Sequence, residues 1–315
     1  MPEPILTLTM NPTVDLACEA EEVRPIRKIR TFGERLDPGG GGLNVARVVQ
    51  ELGGAARAVL LSGGVTGLLI EELLAEAGVP TVPVRIAGRS RISHTVIDRR
   101  AGVEYRFVPE GPVVAEAEWR AALAALAAEQ ARHLVLSGSL PRGVPAAFYR
   151  WAAEEAAARG VMVVLDTSGE ALAEGLGPHI ALAKPSLSEF EFLCGRSLSG
   201  PEEVAREALS RVRAGVAGML AVTLGARGAV LATPRGVLHL PGMDVHARSA
   251  VGAGDSFLAA MVLRLAEGAA PEEAFAWGVA AGTAAVCQPG TAHPRAADIA
   301  ALRARIGAVP AVAEP

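Results

Sequence analysis

Short apolar runs recur along the chain, and each is followed by a turn and then by an alanine-rich stretch. Four of these runs, at 58–61, 133–136, 161–165 and 220–224, are almost wholly apolar, as strands buried on both faces of a parallel sheet are. The intervening stretches have the length and composition of helices, at 43–52, 116–130, 146–159, 201–214, 256–267 and 271–287. This alternation predicts a doubly wound α/β fold with a mostly parallel central sheet.

Two further segments have a different pattern. Around 23–36 and 84–108, apolar and polar residues alternate as in antiparallel strands with one wet face, and 95–98, a turn at 100–102 and 103–107 form a plausible hairpin. We therefore predict one α/β domain over residues 1–315, with lid strands inserted at about 14–36 and 84–110. The small sheet could be a lid or a dimer contact, and an edge extension of the main sheet is the alternative.

Composition excludes several classes of protein. The 315 residues suffice for one large core, and no apolar run approaches the roughly 20 residues that a bilayer span needs. The N-terminus lacks the basic segment of a signal peptide, and Cys18, Cys194 and Cys287 lack the spacing of a zinc site or a disulfide framework. The net charge of -4 comes without a basic block. We expect a cytoplasmic protein with neither nucleic acid nor a membrane as its partner.

The segment 251–257 joins a glycine-rich turn to an apolar helix. Small residues at Gly252, Ala253 and Gly254 allow backbone N–H groups at a helix N-terminus to converge on an anion. Asp255, directly behind this turn, would repel a phosphate unless it serves as a base or acts with a metal. The interpretation we favour is a general base beside an anion hole, and the alternative is an ordinary acidic residue at a helix start.

A second glycine-rich segment lies at 38–47, where four consecutive glycines lead into a helix. Gly40 and Gly41 allow close backbone approach to a ligand, and Asn44 offers both a donor and an acceptor to sugar hydroxyls. A flexible loop is the alternative. The segment does not match GxGxxG, and because Lys28 precedes Ile and Lys184 precedes Pro, the chain contains no P-loop.

Taken together and in order, these motifs resemble the ribokinase-like PfkB carbohydrate kinases over nearly the whole chain. The unbroken glycine run, with 104–108 and 168–172, favours the minor 6-phosphofructokinases within the sugar-phosphate branch, since lysine commonly occupies the position of Gly41 in the 1-phosphofructokinases and tagatose-6-phosphate kinases. The similar segments are 7–9 with Asn11-Pro12 and Asp15, 39–42 with Asn44, 137–141, 166–170, Lys184-Pro185 with Glu189, 223–225 with Gly228, and 252–255.

The resemblance implies a three-layer α/β/α fold with a small β-sheet lid, and it also implies roles for individual residues. Asp255 would be the base, above an anion hole formed by Gly252, Ala253 and Gly254. Sugar hydroxyls would be held by Asp15, by the backbone of Gly40 and Gly41, and by Asn44, with Ser139 at the mouth of the site. The phosphate already on the sugar would be held by Arg91, Lys28 and Arg30, the last two from a neighbouring subunit's lid.

On the nucleotide side, Lys184 would neutralise phosphate and Glu189 would organise Mg²⁺ through water. Thr223, Gly225 and Gly228 would line the ribose and phosphates, and Ser249 and Val251 would flank the base. Ser186 stands where the family usually has asparagine, so we expect looser organisation of the metal. The cofactors implied are ATP and Mg²⁺, and the resemblance allows K⁺ as well.

The leading hypothesis is ATP-dependent phosphorylation of fructose 6-phosphate to fructose 1,6-bisphosphate by an enzyme that forms a homodimer through the lid sheet. Fructose 1-phosphate and tagatose 6-phosphate are alternative substrates. A nucleotide-binding protein without catalysis is disfavoured by the presence of Asp255, and a Rossmann dehydrogenase is disfavoured by the missing GxGxxG.

Overall fold

The computed structural model describes residues 3–288, 290 and 292–315. The strands are β1 (Ile5–Thr9), β2 (Thr13–Ala20), β3 (Thr31–Gly39), β4 (Ala56–Ser62), β5 (Thr81–Arg85), β6 (Arg91–Asp98), β7 (Val103–Phe107), β8 (His133–Ser137), β9 (Met162–Asp166), β10 (Leu182–Ala183), β11 (Leu220–Thr223), β12 (Ala229–Thr233) and β13 (Gly236–Leu240). The helices are α1 (Gly41–Glu51), α2 (Gly64–Glu76), α3 (Glu116–Ala128), α4 (Phe148–Ala158), α5 (Gly169–Gly175), α6 (Leu187–Cys194), α7 (Pro201–Arg213), α8 (Ala253–Ala266), α9 (Pro271–Val286) and α10 (Ala296–Ile306).

The main sheet has nine strands in the order β13-β12-β11-β10-β9-β8-β1-β4-β5. Neighbouring strands pair in parallel from β11 to β5, whereas β12 pairs antiparallel with both β11 and β13. The four apolar runs identified in the sequence are β4, β8, β9 and β11. The predicted α/β fold with a mostly parallel sheet is therefore confirmed.

The uniform apolarity of the central strands follows from helices packed on both sheet faces. In β8, Leu134 and Leu136 belong to one core cluster, with side chains of α3, α4 and α7, whereas Val135 belongs to the other, with α1, α8 and α9. Since successive side chains of a strand point to opposite faces, both faces must be apolar. The three-layer α/β/α arrangement results.

A four-stranded sheet, ordered β3-β2-β6-β7, forms beside the main one and is named the lid below. The hairpin predicted between 95 and 107 is present as β6 and β7. Two expectations need correction. β2 and β6 pair in parallel rather than antiparallel, and Val84 belongs to β5, which pairs with β4 in the main sheet, so the second pair of lid strands begins at Arg91.

The segments singled out in the sequence pack against the carboxyl ends of the parallel strands, the glycine run at the ends of β1 and β8 and Gly254 at Lys184, directly after β10. The glycine run follows β3 into α1, and the second glycine turn opens α8, which packs against α1. In open α/β sheets, ligands bind at this edge. Within the described ranges, no helix is both long and apolar enough to cross a bilayer.

Candidate active site

The turn before α8 places the carboxylate of Asp255 beside the backbone amides of a helix start. Gly252, the N-cap, has φ 71°, in the left-handed region where glycine is favoured. The first N–H groups of the helix, from Ala253 onward, lack intrahelical acceptors. A Cβ added to Gly254 would lie 3.1 Å from Lys184 Nζ, so the ammonium group lies directly against the turn. Asp255 completes the first turn of this helix.

Asp255 belongs to a network of buried charges. Asn44 Nδ2 donates to Asp255 Oδ2 over 2.8 Å, and Lys184 Nζ lies 3.1 Å from Asp166 Oδ1. Burial raises the pKa of Asp255 despite the opposing effects of Asn44 and Lys184. Burial also raises the pKa of Asp166 to about 6, against the effect of Lys184 and with that of Asp255. The arrangement is suited to a base whose proton affinity is increased by its surroundings.

Lys184 remains a cation in this setting. Its side chain is only 5% exposed. Burial by itself would lower its pKa, but the neighbouring carboxylates of Asp166, Asp255 and Glu189 together raise that pKa above the ordinary value. A fixed positive charge therefore lies beside the N–H groups of the turn, where it can stabilise a phosphoryl group during transfer.

The glycine run at 39–42 crosses the carboxyl ends of the strands where no side chain fits. Gly40 has φ 118° and is the N-cap of α1. A Cβ on Gly39 would lie 2.0 Å from Asp15 Oδ2, and one on Gly41 would lie 2.2 Å from Ser137 Oγ. The glycines therefore permit the close approach of this backbone segment to Asp15 and Ser137. We refer to residues 39–42 as the strap.

Asp15 lies on the cleft side of the lid, next to the strap. Burial raises the pKa of this carboxyl to about 6; Arg106 acts against that rise, Asp37 adds to it, and Arg91 and Arg47 also oppose it. Asp15 can therefore accept hydrogen bonds from sugar hydroxyls while surrounded by the cations that a phosphorylated ligand requires.

Arg91 is half-buried at the start of β6 and is engaged with the backbone. Its guanidinium donates to Pro109 O over 2.8 Å and to Asn11 O over 2.9 Å, and burial lowers its pKa. Asn11 in turn donates from Nδ2 towards Ser139 Oγ, at 3.4 Å, and Ser139 is exposed at the mouth of the cleft. Asn11 thus joins the predicted phosphate clamp to the predicted mouth residue.

Lys28 and Arg30 lie apart from this group. Both are exposed in the segment 21–30 that connects β2 to β3, beside Ile26, which has φ 64°. Neither residue lines the two cavities described below, and their action on a neighbouring subunit stays a prediction.

A cavity of about 730 Å³ begins at the anion turn and extends along the sheet edge. Thr223, Gly225 and Gly228 line it, as predicted for the nucleotide site, and Ala253 and Gly254 belong to its wall. The other lining residues are Ser186, Leu187, Ser188, Glu191, Leu224, Ala226, Ala229, Gly242, Met243, Val245, Ala247, Ala250, Phe257, Val279, Gly282, Thr283 and Val286. The cavity is therefore mainly apolar and leads directly to the amides beside Asp255.

The two residues predicted to flank the nucleotide base occupy other positions. Ser249 is buried, and its Oγ accepts from the backbone N–H of Val251 over 3.3 Å. Val251 lines a separate, smaller cavity with Asp15. Ala247 and Ala250 supply the wall of the nucleotide cavity in this part of the chain.

Glu189, the predicted metal residue, is part of a capping box. Its Oε2 accepts from the backbone N–H of Ser186 over 2.7 Å, and Ser186 Oγ accepts from the N–H of Glu189 over 3.4 Å. Glu189 is nevertheless close enough to raise the pKa of both Asp166 and Lys184. Among the residues that the structure describes, no group of three His, Cys, Asp or Glu side chains forms a metal site.

Sequence reasoning missed four charged residues of the site. Asp37 and Arg47 form a buried ion pair of 3.1 Å beneath the strap, Asp166 partners Lys184, and Arg106 faces Asp15. The position of Arg47, three residues after Asn44, was a usable signal, because residues i and i+3 of a helix lie on one face. The proximity of Asp37 and Arg106 to Asp15 could not be predicted in this way, because it depends on the register in which the lid strands pair.

The fold and these groups define a phosphotransferase acting on an alcohol group. A model described as pfkB family carbohydrate kinase matches residues 8–298, and the chain belongs to this family. The resemblance drawn from the motifs is thereby confirmed. Phosphoryl transfer by kinases uses ATP and a divalent metal.

Three relatives indicate the branch of the family. The chain is 40% identical over 300 residues to the ATP-dependent 6-phosphofructokinase isozyme 2 of Mycobacterium tuberculosis, with 94% of this chain and 87% of that protein covered. It is 38% identical to the Escherichia coli isozyme 2, covering 91% and 94%. The 1-phosphofructokinase of Bacillus subtilis is 30% identical, covering 89% and 91%.

Two solved structures have the same fold. The structure of Escherichia coli phosphofructokinase-2 in complex with potassium superposes with a TM-score of 0.93 at 36% identity, and that of the same enzyme in complex with fructose 6-phosphate with 0.90 at 34%. Each alignment covers 97% of this chain and 100% of the other.

Proposed function

We propose that this protein transfers the γ-phosphoryl group of ATP to the 1-hydroxyl of fructose 6-phosphate. One observation carries the proposal: the Asp255–Asn44 hydrogen bond lies where the large nucleotide cavity meets the charged cleft under the lid. A base at that junction can reach an acceptor hydroxyl on one side and a phosphoryl group on the other. We also propose that the reaction takes place in the cytoplasm.

In the proposed reaction, Asp255 takes the proton of the sugar 1-hydroxyl while the oxygen of that hydroxyl forms a bond to the γ-phosphorus. The bond between that phosphorus and the β,γ-bridging oxygen breaks, and ADP leaves with the electron pair. The amides of Gly252, Ala253 and Gly254, together with Lys184, stabilise the negative charge on the transferring group.

The residues around Lys184 fit a magnesium–nucleotide complex. Asp255 lies close enough to Asp166 to raise the pKa of its carboxyl, and Glu189 adds to this effect. Such a group of carboxylates attracts a cation that keeps several waters, as Mg²⁺ does. Mg²⁺ would supply charge neutralisation on the nucleotide phosphates, held through water by Asp166 and Glu189.

On the sugar side, Asp15, Asn44 and the amides of Gly40 and Gly41 are assigned to the hydroxyls. Arg91 is assigned to the 6-phosphate. Its guanidinium would then donate to the phosphate in place of the two backbone carbonyls that it now contacts. Arg–phosphate pairs join two opposite charges and are frequently bidentate, which favours this exchange.

The structure favours fructose 6-phosphate over the alternative substrates at one position. The site of a Cβ on Gly41 lies 2.2 Å from Ser137 Oγ and 3.1 Å from Gly138 N. The lysine commonly found there in the other two branches would not fit in this backbone conformation. The relatives named as isozyme 2 of 6-phosphofructokinase also have the higher identities.

We further propose that two copies associate through the outer face of the lid. Strand register places Leu36, Leu16, His94 and Phe107 in one row across the sheet, and Leu36 and Phe107 are 42% and 59% exposed. Asp15 points to the opposite, cleft-facing side. An apolar outer face of this kind is suited to a second copy, whose Lys28 and Arg30 would then approach the sugar phosphate.

The function is tested by measuring ADP release with fructose 6-phosphate, fructose 1-phosphate and tagatose 6-phosphate, each with Mg²⁺, with and without K⁺. The expected result is a kcat/KM for fructose 6-phosphate well above those for the other two. Preference for another member of the panel would overturn the substrate assignment, and absence of turnover with all of them would overturn the activity. Light scattering on Phe107→Glu tests the lid contact, since a charge in that row should yield monomers.

A further inference from the structure

Arg47 is a buried cation below the sugar side of the cleft, and its position suggests a role beyond stability. Its side chain is 7% exposed. It lies on α1, one helical turn after Asn44. We propose that Arg47 is a positioning residue that fixes the strap, the base of the lid and the carboxylate of Asp15, and so sets the affinity for the sugar phosphate without touching it. The inference rests on the proposed function.

The first argument concerns the strap. Arg47 Nη2 donates to Asp37 Oδ1 over 3.1 Å, and Nη1 donates to Pro38 O over 3.3 Å. Asp37 and Pro38 are the last residues of β3 before the glycines of the strap. Because those glycines have little conformational restriction of their own, the forked guanidinium supplies the restraint from outside.

The second argument concerns the cavity that Arg47 shares with the ligand-binding groups. A cavity of about 20 Å³, near the size that holds one water, is lined by Asp15, Asn44, Arg47, Val48, Val251, Gly252, Ser256, Ala292 and His293. Arg47 Nε is buried and has no hydrogen-bond partner among the described residues. A water in the cavity would connect Nε to the sugar-binding side, so Arg47 underlies Asp15 and Asn44 together.

The third argument is electrostatic. Asp15 pairs with Asp37 across the strands of the lid, and this second carboxylate favours protonation of Asp15. Arg47 counteracts Asp37, as do Arg91 and Arg106 from other elements. Arg35, on the same strand as Asp37, forms a second ion pair with it over 2.7 Å. Arg91 and Arg106 lie closer to solvent than Arg47, and a phosphate bound by Arg91 would reduce its effect on Asp15. Arg47 is the buried cation of this set, and its proposed effect on Asp15 requires no contact with the ligand.

His293 borders Arg47 on the side away from the lid. Its Nδ1 lies 3.3 Å from Arg47 Nη2, which requires a neutral ring with an unprotonated Nδ1. Burial and the charge of Arg47 lower the pKa of His293, partly opposed by Glu51. The neutral histidine accepts from Arg47 and leaves its positive charge available to Asp37 and Asp15.

The test compares Arg47→Met with a matched control, Arg303→Met. Arg303 also joins a carboxylate, Glu273, to a backbone carbonyl, that of Gly307, in a side chain only 15% exposed, but it does so on α10, away from the cleft. Arg47→Met should raise the KM for fructose 6-phosphate about tenfold or more, given the strength of hydrogen bonds to charged groups, with the KM for ATP within about twofold. Arg303→Met should leave both within about twofold.

Arg47→Lys keeps the charge but loses the fork, and it serves where the methionine variant fails to fold. It should raise the sugar KM by less than Arg47→Met does. Equal KM ratios for the Arg47 and Arg303 variants would overturn the inference while leaving the proposed function intact. A wild-type protein that phosphorylates no sugar phosphate would overturn both.

A binding titration supplies a second readout that a purely structural role would not change. Calorimetry of fructose 6-phosphate binding from pH 5 to 8 should show weaker binding at the acid end as Asp15 is protonated. Dividing each variant's affinity by that of the wild type removes the ligand's own ionisation. Relative to wild type, the pH at which binding weakens should be higher in Arg47→Lys or Arg47→Met, because a positive charge is moved or lost near Asp15. It should be lower in Asp37→Asn, because a negative charge is lost there. Shifts in the same direction, or none, contradict the proposal.

Discussion

The two halves of the cleft differ in what they offer a ligand. The nucleotide half is a cavity of about 730 Å³ whose wall consists mostly of alanine, glycine and valine, together with serine and threonine hydroxyls. The sugar half is small and densely charged, with Asp15 and Asp37 surrounded by Arg47, Arg91 and Arg106. The halves meet at Asp255.

Under the proposed function, this difference corresponds to two modes of recognition in one fold. Shape and backbone amides suit a large ligand whose phosphates are already complexed with metal. Fixed charges suit a small, strongly polar ligand, and they discriminate well because an unpaired buried charge is costly. Changes confined to one half should therefore alter one Michaelis constant, and changes at the junction should alter kcat.

The most severe test concerns the junction. Asp255→Asn should lower kcat by about 10²–10⁴-fold, the range of general-base contributions, while the Kd for ATP changes little because the turn keeps its shape. Steady-state kinetics and calorimetry with ATP measure the two quantities. Asp298→Asn is the matched control, since Asp298 also lies in the first turn of a helix, α10, but is exposed. Near-normal turnover of Asp255→Asn would mean that Asp255 is merely a helix-start residue.

A second test separates the halves. Arg91→Ala should raise the KM for the sugar phosphate about 10–100-fold, the loss expected for hydrogen bonds to a charged group, with the KM for ATP nearly unchanged. Arg89→Ala, an exposed neighbour two residues earlier, should affect neither constant. If Arg91→Ala raised both constants equally, the charged half would not be a separate recognition unit.

The local parts of the molecule were predictable from the sequence, and the parts that depend on register were not. The apolar strands and the turn at Gly252 are continuous segments whose residue types restrict the backbone directly. Asp37 lies opposite Asp15 only because β2 and β3 pair in one particular register. Val84 appeared to belong to the lid because its segment alternates, but pairing with β4 places it in the main sheet.

The sequence also could not show which partner each side chain contacts in the folded protein. Glu189 was predicted for metal from its position after Lys184-Pro185, which stays a prediction, and its carboxylate also caps α6 through the N–H of Ser186. The pattern Ser-x-x-Glu is itself a capping-box signature, so the sequence contained this information, although a residue type cannot show which of two partners is nearer. Val251 similarly follows the glycine-turn motif but faces the smaller cavity.

Acidic pH offers a third test, which concerns one carboxylate in each half of the cleft. The pKa values of Asp15 and Asp166 are raised to about 6, so both carboxylates become protonated as the pH falls through 6. The kcat/KM for each substrate should fall about tenfold per pH unit for each required ionisation. Because the folded-state pKa values exceed the ordinary value of 3.8, these groups add to the free energy of unfolding as pH falls from 7 towards 4.

Activity and stability should therefore diverge between pH 7 and 5. Stopped assays across this range, paired with scanning calorimetry, measure both quantities. In Asp15→Asn, the part of the acid-side fall in kcat/KM for the sugar phosphate that is due to Asp15 should disappear. The contribution of Asp15 to the rise in Tm should also be lost, whereas the contribution of Asp166 should remain. A loss of activity that follows thermal unfolding in the wild type would contradict this explanation.

The smallest effect is expected for a glycine of the nucleotide half, which we compare with a glycine of the sugar half. A Cβ on Gly254 would lie 3.1 Å from Lys184 Nζ, the mobile end of a long side chain, so Gly254→Ala should raise the KM for ATP only about threefold, or ~0.6 kcal/mol. The sugar KM should stay constant, and Tm should rise because alanine favours the helix. Gly41→Ala meets Ser137 and the backbone of Gly138, which cannot retreat as easily, so it should impair sugar binding more strongly. If Gly254→Ala changed the sugar KM instead, the anion turn would belong to the charged half, and the boundary between the two modes of recognition would lie beyond Asp255.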